Sequence, residues 1–229
     1  MTHEQSHPAL AFDVYGTLID PFRTEEHLRA AFGVKARVAS ELWRGKQLEY
    51  SFRRALMKQY RNFDECTADA LNFVSAQLEN PLSAEARAQL LSQYRRLPAF
   101  PDVPGALEQF AAQGYAIAAC SNGTPASVRA SLEHAGVLRF FGKIVSVDSI
   151  HTFKPDPAVY QFLAAELHVP RETLWLISSN PFDVIGAKAC GLRAAWVQRD
   201  PKRVFDPWEY QPDAIVNSLA ELKHALKLV

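Results

Sequence analysis

The stretch FDVYGT (residues 12–17) places a carboxylate at the end of an apolar run and at the start of a tight turn. The apolar residues 9–12 predict a short buried β-strand that ends at Asp13. A second apolar run, YAIAAC (residues 115–120), ends in the same way at Ser121. Two chemically useful side chains therefore follow two predicted strands.

Further short apolar runs alternate with helical patterns along the rest of the chain. The predicted strands are KIVSV (143–147), TLWLIS (173–178) and AAWVQ (194–198), and the predicted helices cover 104–113, 125–135 and 158–167. This alternation predicts an α/β fold, a Rossmann-like parallel-sheet core flanked by helices. In that architecture ligands bind outside the carboxyl ends of the strands, where Asp13 and Ser121 are expected to lie.

The segment between the first two strands contains no convincing strand and predicts successive amphipathic helices. Its expected helix signals are Gly33 at the end of a first helix and Ser40, Thr67 and Ser83 at the starts of the next three. The sequence therefore predicts two domains. Residues 1–20 and 98–229 form a Rossmann-like catalytic core, and residues 21–97 form an inserted helical cap domain that closes over the strand ends.

The composition is that of an ordinary globular protein. The chain has 229 residues, 48% of them hydrophobic, with 25 basic and 25 acidic side chains, so a nucleic-acid partner or a membrane-surface role is not expected. The polar start of the sequence and the lack of a long apolar stretch predict a cytoplasmic protein. Cys66, Cys120 and Cys190 are widely spaced and are expected to be buried free thiols.

Four blocks together resemble the haloacid dehalogenase superfamily in their order and spacing. They are FDVYGT at Asp13, SNG (121–123), Lys154 within HTFKPDPAVY, and SSNPFD (178–183). Within the superfamily the resemblance is strongest to the L-2-haloacid dehalogenases (type II), and it extends into the cap. LWRGKQLEYSFRRALM (42–57) is similar to the cap segment that carries their halide-binding arginine, which implies this role for Arg44.

The resemblance implies a covalent mechanism. Asp13 would attack the carbon that bears the halogen and form an ester with inversion of configuration, and Asp183 would activate the water that hydrolyses this ester. Lys154 would keep Asp13 ionised, because an opposite charge nearby favours the carboxylate. The other implied catalytic residues are Thr17 and Tyr160, which orient the nucleophile and its surroundings, and Ser178 and Asn180, which position the water and the base.

The same resemblance implies the residues that bind a small 2-haloacid. Ser121 would hold the substrate carboxylate, helped by the amides of the SNG turn, and Arg44 would stabilise the leaving halide together with Asn122 and Phe182. An apolar wall around the carbon chain is expected from Tyr15, Leu48, Phe63 and Phe182, each of which is equally suited to an ordinary core position. Gly45 and Phe182 differ from the larger side chains of related enzymes, which leaves open the chain length and the preferred halogen, fluoride included.

Two positions separate this sequence from the metal-dependent phosphatases of the superfamily. Those enzymes carry a second aspartate where Tyr15 stands, and the phenol, with a reference pKa of about 10, is a poor base near neutrality. They also carry a magnesium-binding aspartate where Ser179 stands, and magnesium prefers carboxylate oxygens. We therefore predict no metal and no cofactor.

Two other functions are compatible with the same scaffold. A magnesium-dependent phosphatase acting on a small metabolite would require Tyr15 and Ser179 to be tolerated departures. A non-catalytic binding protein is disfavoured because the implied catalytic residues are all present, namely Asp13, Arg44, Lys154 and Asp183. The resemblance also implies a homodimer, although the sequence itself shows no interface.

Overall fold

The computed structural model describes residues 7–227 and has a parallel sheet at its centre. Its strands are β1 Leu10–Asp13, β2 Ile117–Ser121, β3 Lys143–Ser146, β4 Trp175–Ser178, β5 Arg193–Val197 and β6 Ala214–Val216. Their spatial order is β3-β2-β1-β4-β5-β6, and all neighbouring pairs run parallel. This is the order of a doubly wound sheet, so the predicted α/β class is confirmed.

The sheet is covered on both faces, which explains why its strands read as nearly continuous apolar runs. Successive residues of β1 enter different clusters. Leu10 and Phe12 pack into one buried cluster, whereas Ala11, like Ala9 just before the strand, packs into the other. The alternation follows from the period of two of a strand. It leaves Asp13 at the carboxyl end of β1, opposite Cys120 of β2.

The structure has nine α-helices within residues 7–227. They are α1 Thr24–Phe32, α2 Ala36–Leu56, α3 Phe63–Gln77, α4 Ala84–Tyr94, α5 Val103–Ala112, α6 Pro125–His134, α7 Pro157–Leu167, α8 Pro181–Ala189 and α9 Leu222–Ala225. Helices α1 to α4 all lie between β1 and β2 in the chain. None of the helices in this range has the length and apolar character that a membrane crossing requires.

Local signals account for several helix boundaries. Thr124 caps α6 by accepting a hydrogen bond from the amide of Ser127, and Ser83 caps α4 in the same way through Ala86. Gly33 follows α1 with a φ of 54°, in the left-handed region where glycine carries no steric penalty. The predicted end of α1 and the predicted start of α4 are thus confirmed.

The predicted starts at Ser40 and Thr67 are wrong. Helix α2 begins at Ala36, and Ser40 is buried inside it, where its hydroxyl lies 2.7 Å from that of Thr24. Helix α3 begins at Phe63 after the cap Asn62, and Thr67 donates back to the Phe63 carbonyl at 2.8 Å. Each hydroxyl finds a partner within its own helix or in a neighbouring one, so neither residue has to stand at the start of a helix.

The three cysteines are free thiols, as predicted. Cys66 and Cys120 are buried, but Cys190 is partly exposed, so the prediction of burial is wrong for that residue. It lies just after the last residue of α8, at the surface end of that helix.

Candidate active site

The carboxylate of Asp13 is surrounded by donors at the carboxyl end of β1. Its Oδ2 accepts hydrogen bonds from Thr17 Oγ1 at 2.7 Å, Asn180 Nδ2 at 2.8 Å and Ser178 Oγ at 3.3 Å. Its Oδ1 accepts one from Lys154 Nζ at 3.0 Å. The donors fix the orientation of the carboxylate, and Oδ1 is the oxygen with fewer partners.

The ammonium of Lys154 joins two carboxylates in the buried interior. Its Nζ lies 3.0 Å from Asp13 Oδ1 and 2.8 Å from Asp183 Oδ2, and it donates to the carbonyl of Cys120 at 2.9 Å. Burial is the largest single influence on the pKa of Lys154 and lowers it, but Asp13 and Asp183 together outweigh burial and hold that pKa above its usual value. Lys154 therefore stays charged although only 1% of it is exposed.

Asp183 is fully buried in the first turn of α8. Burial raises its pKa, the charge of Lys154 opposes the rise, and the charge of Asp13 adds to it. The hydroxyl of Tyr160 donates to Asp183 Oδ1 at 2.9 Å, and it stays protonated because burial raises its own pKa. A carboxylate with a raised pKa is a stronger base than an ordinary aspartate.

Gly186 on α8 allows Tyr160 to approach this closely. A Cβ at position 186 would lie 2.5 Å from the Tyr160 hydroxyl oxygen and 2.7 Å from Pro155 Cβ. Such contacts are too short for carbon, so only glycine fits at this position without displacing the tyrosine that holds Asp183.

A small cavity opens in front of Asp13. About 10 Å³ of it is open to the centre of a water-sized sphere, which is close to the space that one water molecule occupies. Every residue predicted to bind substrate lines this cavity, together with Asp13 and two of its hydrogen-bond donors, Lys154 and Asn180. The full lining is Asp13, Tyr15, Arg44, Leu48, Phe63, Ser121, Asn122, Lys154, Asn180 and Phe182.

Arg44 reaches this cavity from α2. Its Nη2 donates to the Tyr15 carbonyl at 3.1 Å, which ties the helix to the turn after β1. Its Nη1 is buried and has no hydrogen-bond partner among the described residues. A buried guanidinium nitrogen without an acceptor is a costly arrangement, and a small anion in the cavity would supply that acceptor.

The side chain of Tyr15 is part of the apolar wall. Its hydroxyl lies 3.0 Å from Ser131 Oγ of α6, and its ring packs near the rings of Phe63 and Tyr94. Burial raises the pKa of Tyr15 above its usual value, so the phenol remains protonated at neutral pH. Tyr15 therefore does not act as a general base here.

The SNG turn after β2 also lines the cavity, through Ser121 and Asn122. Ser121 Oγ accepts a hydrogen bond from the Gly123 amide at 3.1 Å, which leaves its hydroxyl proton for a ligand. Asn122 Oδ1 accepts from the Lys154 amide at 3.0 Å and so links this turn to the loop that carries the lysine. The arrangement presents donors to an anionic group next to Asp13.

The family model described as haloacid dehalogenase-like hydrolase matches residues 7–191. The chain belongs to this family. It is 39% identical over 210 residues to the (S)-2-haloacid dehalogenase of Pseudomonas sp. (strain YL), a match that covers 92% of this chain and 90% of that protein. It is 36% identical to haloacetate dehalogenase H-2 of Moraxella sp. (strain B), over 95% of this chain and 97% of that one.

A solved haloacid dehalogenase structure shares the fold over nearly the whole chain. The L-2-haloacid dehalogenase from Xanthobacter autotrophicus with chloropropionic acid covalently bound superposes with a TM-score of 0.89 at 30% identity and covers 96% of this chain and 98% of that one. The resemblance to L-2-haloacid dehalogenases inferred from the motifs is therefore confirmed.

Ser179 takes a structural role in this member of the haloacid dehalogenase-like family. Its amide donates to Thr17 Oγ1 at 2.8 Å, and its hydroxyl donates to the Gly16 carbonyl. Among residues 7–227, no group of three or more His, Cys, Asp or Glu side chains is arranged to hold a metal ion. The expectation that no metal is required stays a prediction.

Sequence reasoning missed several residues that support the site. Ser131 was not singled out, although its place one helical turn after Ser127 on α6 puts both on the buried face. Arg199 was also missed, and it donates to the Thr17 carbonyl at 2.7 Å while paired with Asp102. The carbonyl acceptors of Cys120 and Tyr15 have no signature in the sequence, because any residue supplies one.

Proposed function

We propose that the protein is an (S)-2-haloacid dehalogenase, a hydrolase acting on carbon–halide bonds. It converts short L-2-haloalkanoic acids to D-2-hydroxy acids and halide. The observation that carries the proposal is the cavity between the Asp13 carboxylate and the unpaired Nη1 of Arg44. The names of the relatives in Pseudomonas sp. (strain YL) and Xanthobacter autotrophicus support the substrate class.

The first step is displacement of halide by Asp13. Its carboxylate attacks C2 from the side opposite the halogen, a carbon–oxygen bond forms, the carbon–halogen bond breaks, and the configuration inverts. The halide leaves without a proton, so the step needs no acid or base at the position of Tyr15, which stays protonated. Arg44 stabilises the charge that develops on the halogen, with Asn122 and Phe182 beside it in the cavity. Ser121 and the SNG turn hold the substrate carboxylate.

The second step is hydrolysis of the ester. Water attacks the carbonyl carbon of the Asp13 ester and loses a proton to Asp183, which Tyr160 and Lys154 hold in place, while Ser178 and Asn180 position the water. The bond between that carbon and the substrate oxygen then breaks, the departing oxygen takes the proton from Asp183 to give the D-2-hydroxy acid, and Asp13 loses its own proton to become a carboxylate again. Ester formation removes the negative charge of Asp13, which is one of the groups that raise the pKa of Asp183. Asp183 is therefore favoured as the ionised base when it is needed.

We propose that the same site accepts haloacetates, including fluoroacetate. The cavity is small, which suits a two-carbon acid, and a relative in Moraxella sp. (strain B) is named haloacetate dehalogenase. The preferred halogen is set by the contacts around Arg44.

We also propose a domain organisation, an oligomeric state and a cellular compartment for the protein. Residues 21–97 act as a helical cap over the core formed by residues 1–20 and 98–229, and they contribute Arg44, Leu48 and Phe63 to the site. We propose a cytoplasmic homodimer that works without metal or cofactor on a small acid. The free state of the three cysteines is consistent with a reducing compartment.

Chloride release from the separate enantiomers of 2-chloropropionate, in the presence of a chelator, tests this function. We expect release from the L form alone, unaffected by the chelator. An aryl phosphate with magnesium is assayed in parallel. Magnesium-dependent phosphate release without chloride release would contradict the proposal.

A further inference from the structure

A second, larger pocket lies next to the catalytic cavity, and we call it the side pocket. By the same measure that gives about 10 Å³ for the catalytic cavity, it holds about 610 Å³. Its lining comes from α2, the loop that carries Lys154, α8 and the loop after β5. The residues that matter for the argument are Phe52, Ala55, Phe153, Phe182, Ile185 and Trp208.

The two spaces share a wall. Lys154 and Phe182 line both of them. The ring of Phe182 meets that of Phe52 edge to face, with centroids 5.1 Å apart, so an aromatic pair between α8 and α2 separates the catalytic cavity from the side pocket. Phe182 and Phe52 are both only partly buried.

The charges of the side pocket select what enters it. Its lining contains one cation, Lys154, whose ammonium is already committed to Asp13 and Asp183. The other charged members are Asp156 and Asp206, which repel anions. The rest of the lining is largely apolar, so the side pocket favours a neutral hydrocarbon chain over a carboxylate or a halide.

We propose that the side pocket binds the alkyl chain of 2-haloalkanoic acids longer than propionate, and that the Phe52–Phe182 pair sets the chain length. The inference rests on the proposed function. The carboxylate stays at the SNG turn and the halogen at Arg44, while carbons beyond the third pass the Phe182 ring when it turns toward Phe52. Each methylene group that moves from water into apolar surroundings strengthens binding of the substrate by about fourfold.

Two variants with opposite expected effects test the inference on the full-length protein. Ala55→Trp fills the side pocket, and we expect kcat/KM for L-2-chlorohexanoate to fall about tenfold or more while that for L-2-chloropropionate stays within about twofold. Phe52→Ala removes the support of Phe182, and we expect the ratio of the two kcat/KM values to shift several-fold toward the longer acid. Val38→Trp, on the exposed face of the same helix, is the matched control and should leave the ratio unchanged.

The outcomes separate the inference from the function on which it rests. If both substrates change equally in both variants, or neither changes, the side pocket does not bind substrate. If Ala55→Trp alters the molar mass by light scattering and leaves the chain-length ratio unchanged, the pocket is instead a contact between copies of the chain, and the inference is wrong. Absence of turnover of L-2-chloropropionate by the unmodified enzyme would contradict the proposed function itself.

Discussion

Replacing Lys154 by methionine should destabilise the fold as well as abolish activity. Methionine is close in length to the lysine stem but carries no charge, so Asp13 and Asp183 would be left as uncompensated carboxylates in the interior. Removing one partner of a buried ion pair costs about 3–5 kcal/mol. The Cys120 carbonyl also loses its donor. We therefore expect the free energy of unfolding near pH 7.5 to fall by about 3–5 kcal/mol.

The pH dependence of this loss follows from the direction of the pKa shifts. Lys154 lowers the pKa of Asp183, so without it that pKa rises further above its unfolded value of about 3.9. A group whose folded pKa is raised stabilises the fold below its unfolded pKa, and this contribution is lost as the pH rises through the folded pKa. The deficit of the Lys154→Met variant should therefore be smaller near pH 5 than near pH 7.5.

Urea unfolding followed by circular dichroism at both pH values measures the deficit. Lys143→Met is the control, because the pair of Lys143 with Glu166 is about 40% exposed and such pairs contribute about 1 kcal/mol or less. Equal losses in the two variants, or a Lys154→Met deficit that grows at lower pH, would refute the reasoning.

Three further substitutions test the roles of single residues. Arg44→Ala should lower kcat for chloride release by about 10²- to 10³-fold, because the charge on the leaving halide loses its donor. Its melting temperature should change little, since Arg44 is partly exposed and lines the cavity. Tyr15→Phe removes the contact with Ser131, which should cost about 1 kcal/mol in urea unfolding and leave the pH profile of kcat unchanged. Gly186→Ala should destabilise the fold by about 1–3 kcal/mol and slow ester hydrolysis, because the new Cβ displaces Tyr160.

Each of these expectations has its own contrary result. A large drop in melting temperature with Arg44→Ala would show that this arginine serves the fold rather than the halide. A pH profile that loses one of its limbs in Tyr15→Phe would mean that the phenol exchanges a proton during turnover. Normal kinetics in Gly186→Ala would show that the position of Tyr160 does not matter for hydrolysis, and Gly105→Ala, where a Cβ would meet nothing within 4 Å, is its control.

The sheet and the polar residues at the carboxyl ends of its strands were predictable because they depend on short-range patterns in the sequence. Apolar runs ended at Asp13, Ser121 and Ser178, and parallel strands bring such ends to one edge. Strand β6 was not predicted. It has only three residues at the edge of the sheet, and Ile215 within it is 55% exposed, so there is no buried run to detect.

The connections within the site were less predictable, because they depend on partners far apart in the chain. The motif resemblance suggested Lys154 beside Asp13, but its simultaneous contact with Asp183 appears only when α8 is packed against the sheet. Ser40 and Thr67 are predicted as helix starts because hydroxyls often cap helices. In the structure the Ser40 hydroxyl instead contacts that of Thr24, and the Thr67 hydroxyl donates to the Phe63 carbonyl within α3.

A single turnover in H₂¹⁸O with enzyme in excess of L-2-chloropropionate tests the covalent route most directly. In the ester mechanism water attacks the carbonyl carbon of Asp13, so one ¹⁸O atom should appear in the carboxylate of the peptide that contains Asp13, and the lactate should carry none. Mass spectrometry of the digested enzyme and of the product measures both. Label in the lactate with an unlabelled Asp13 would mean that water attacks the substrate directly, and the role of Asp13 as nucleophile would be wrong.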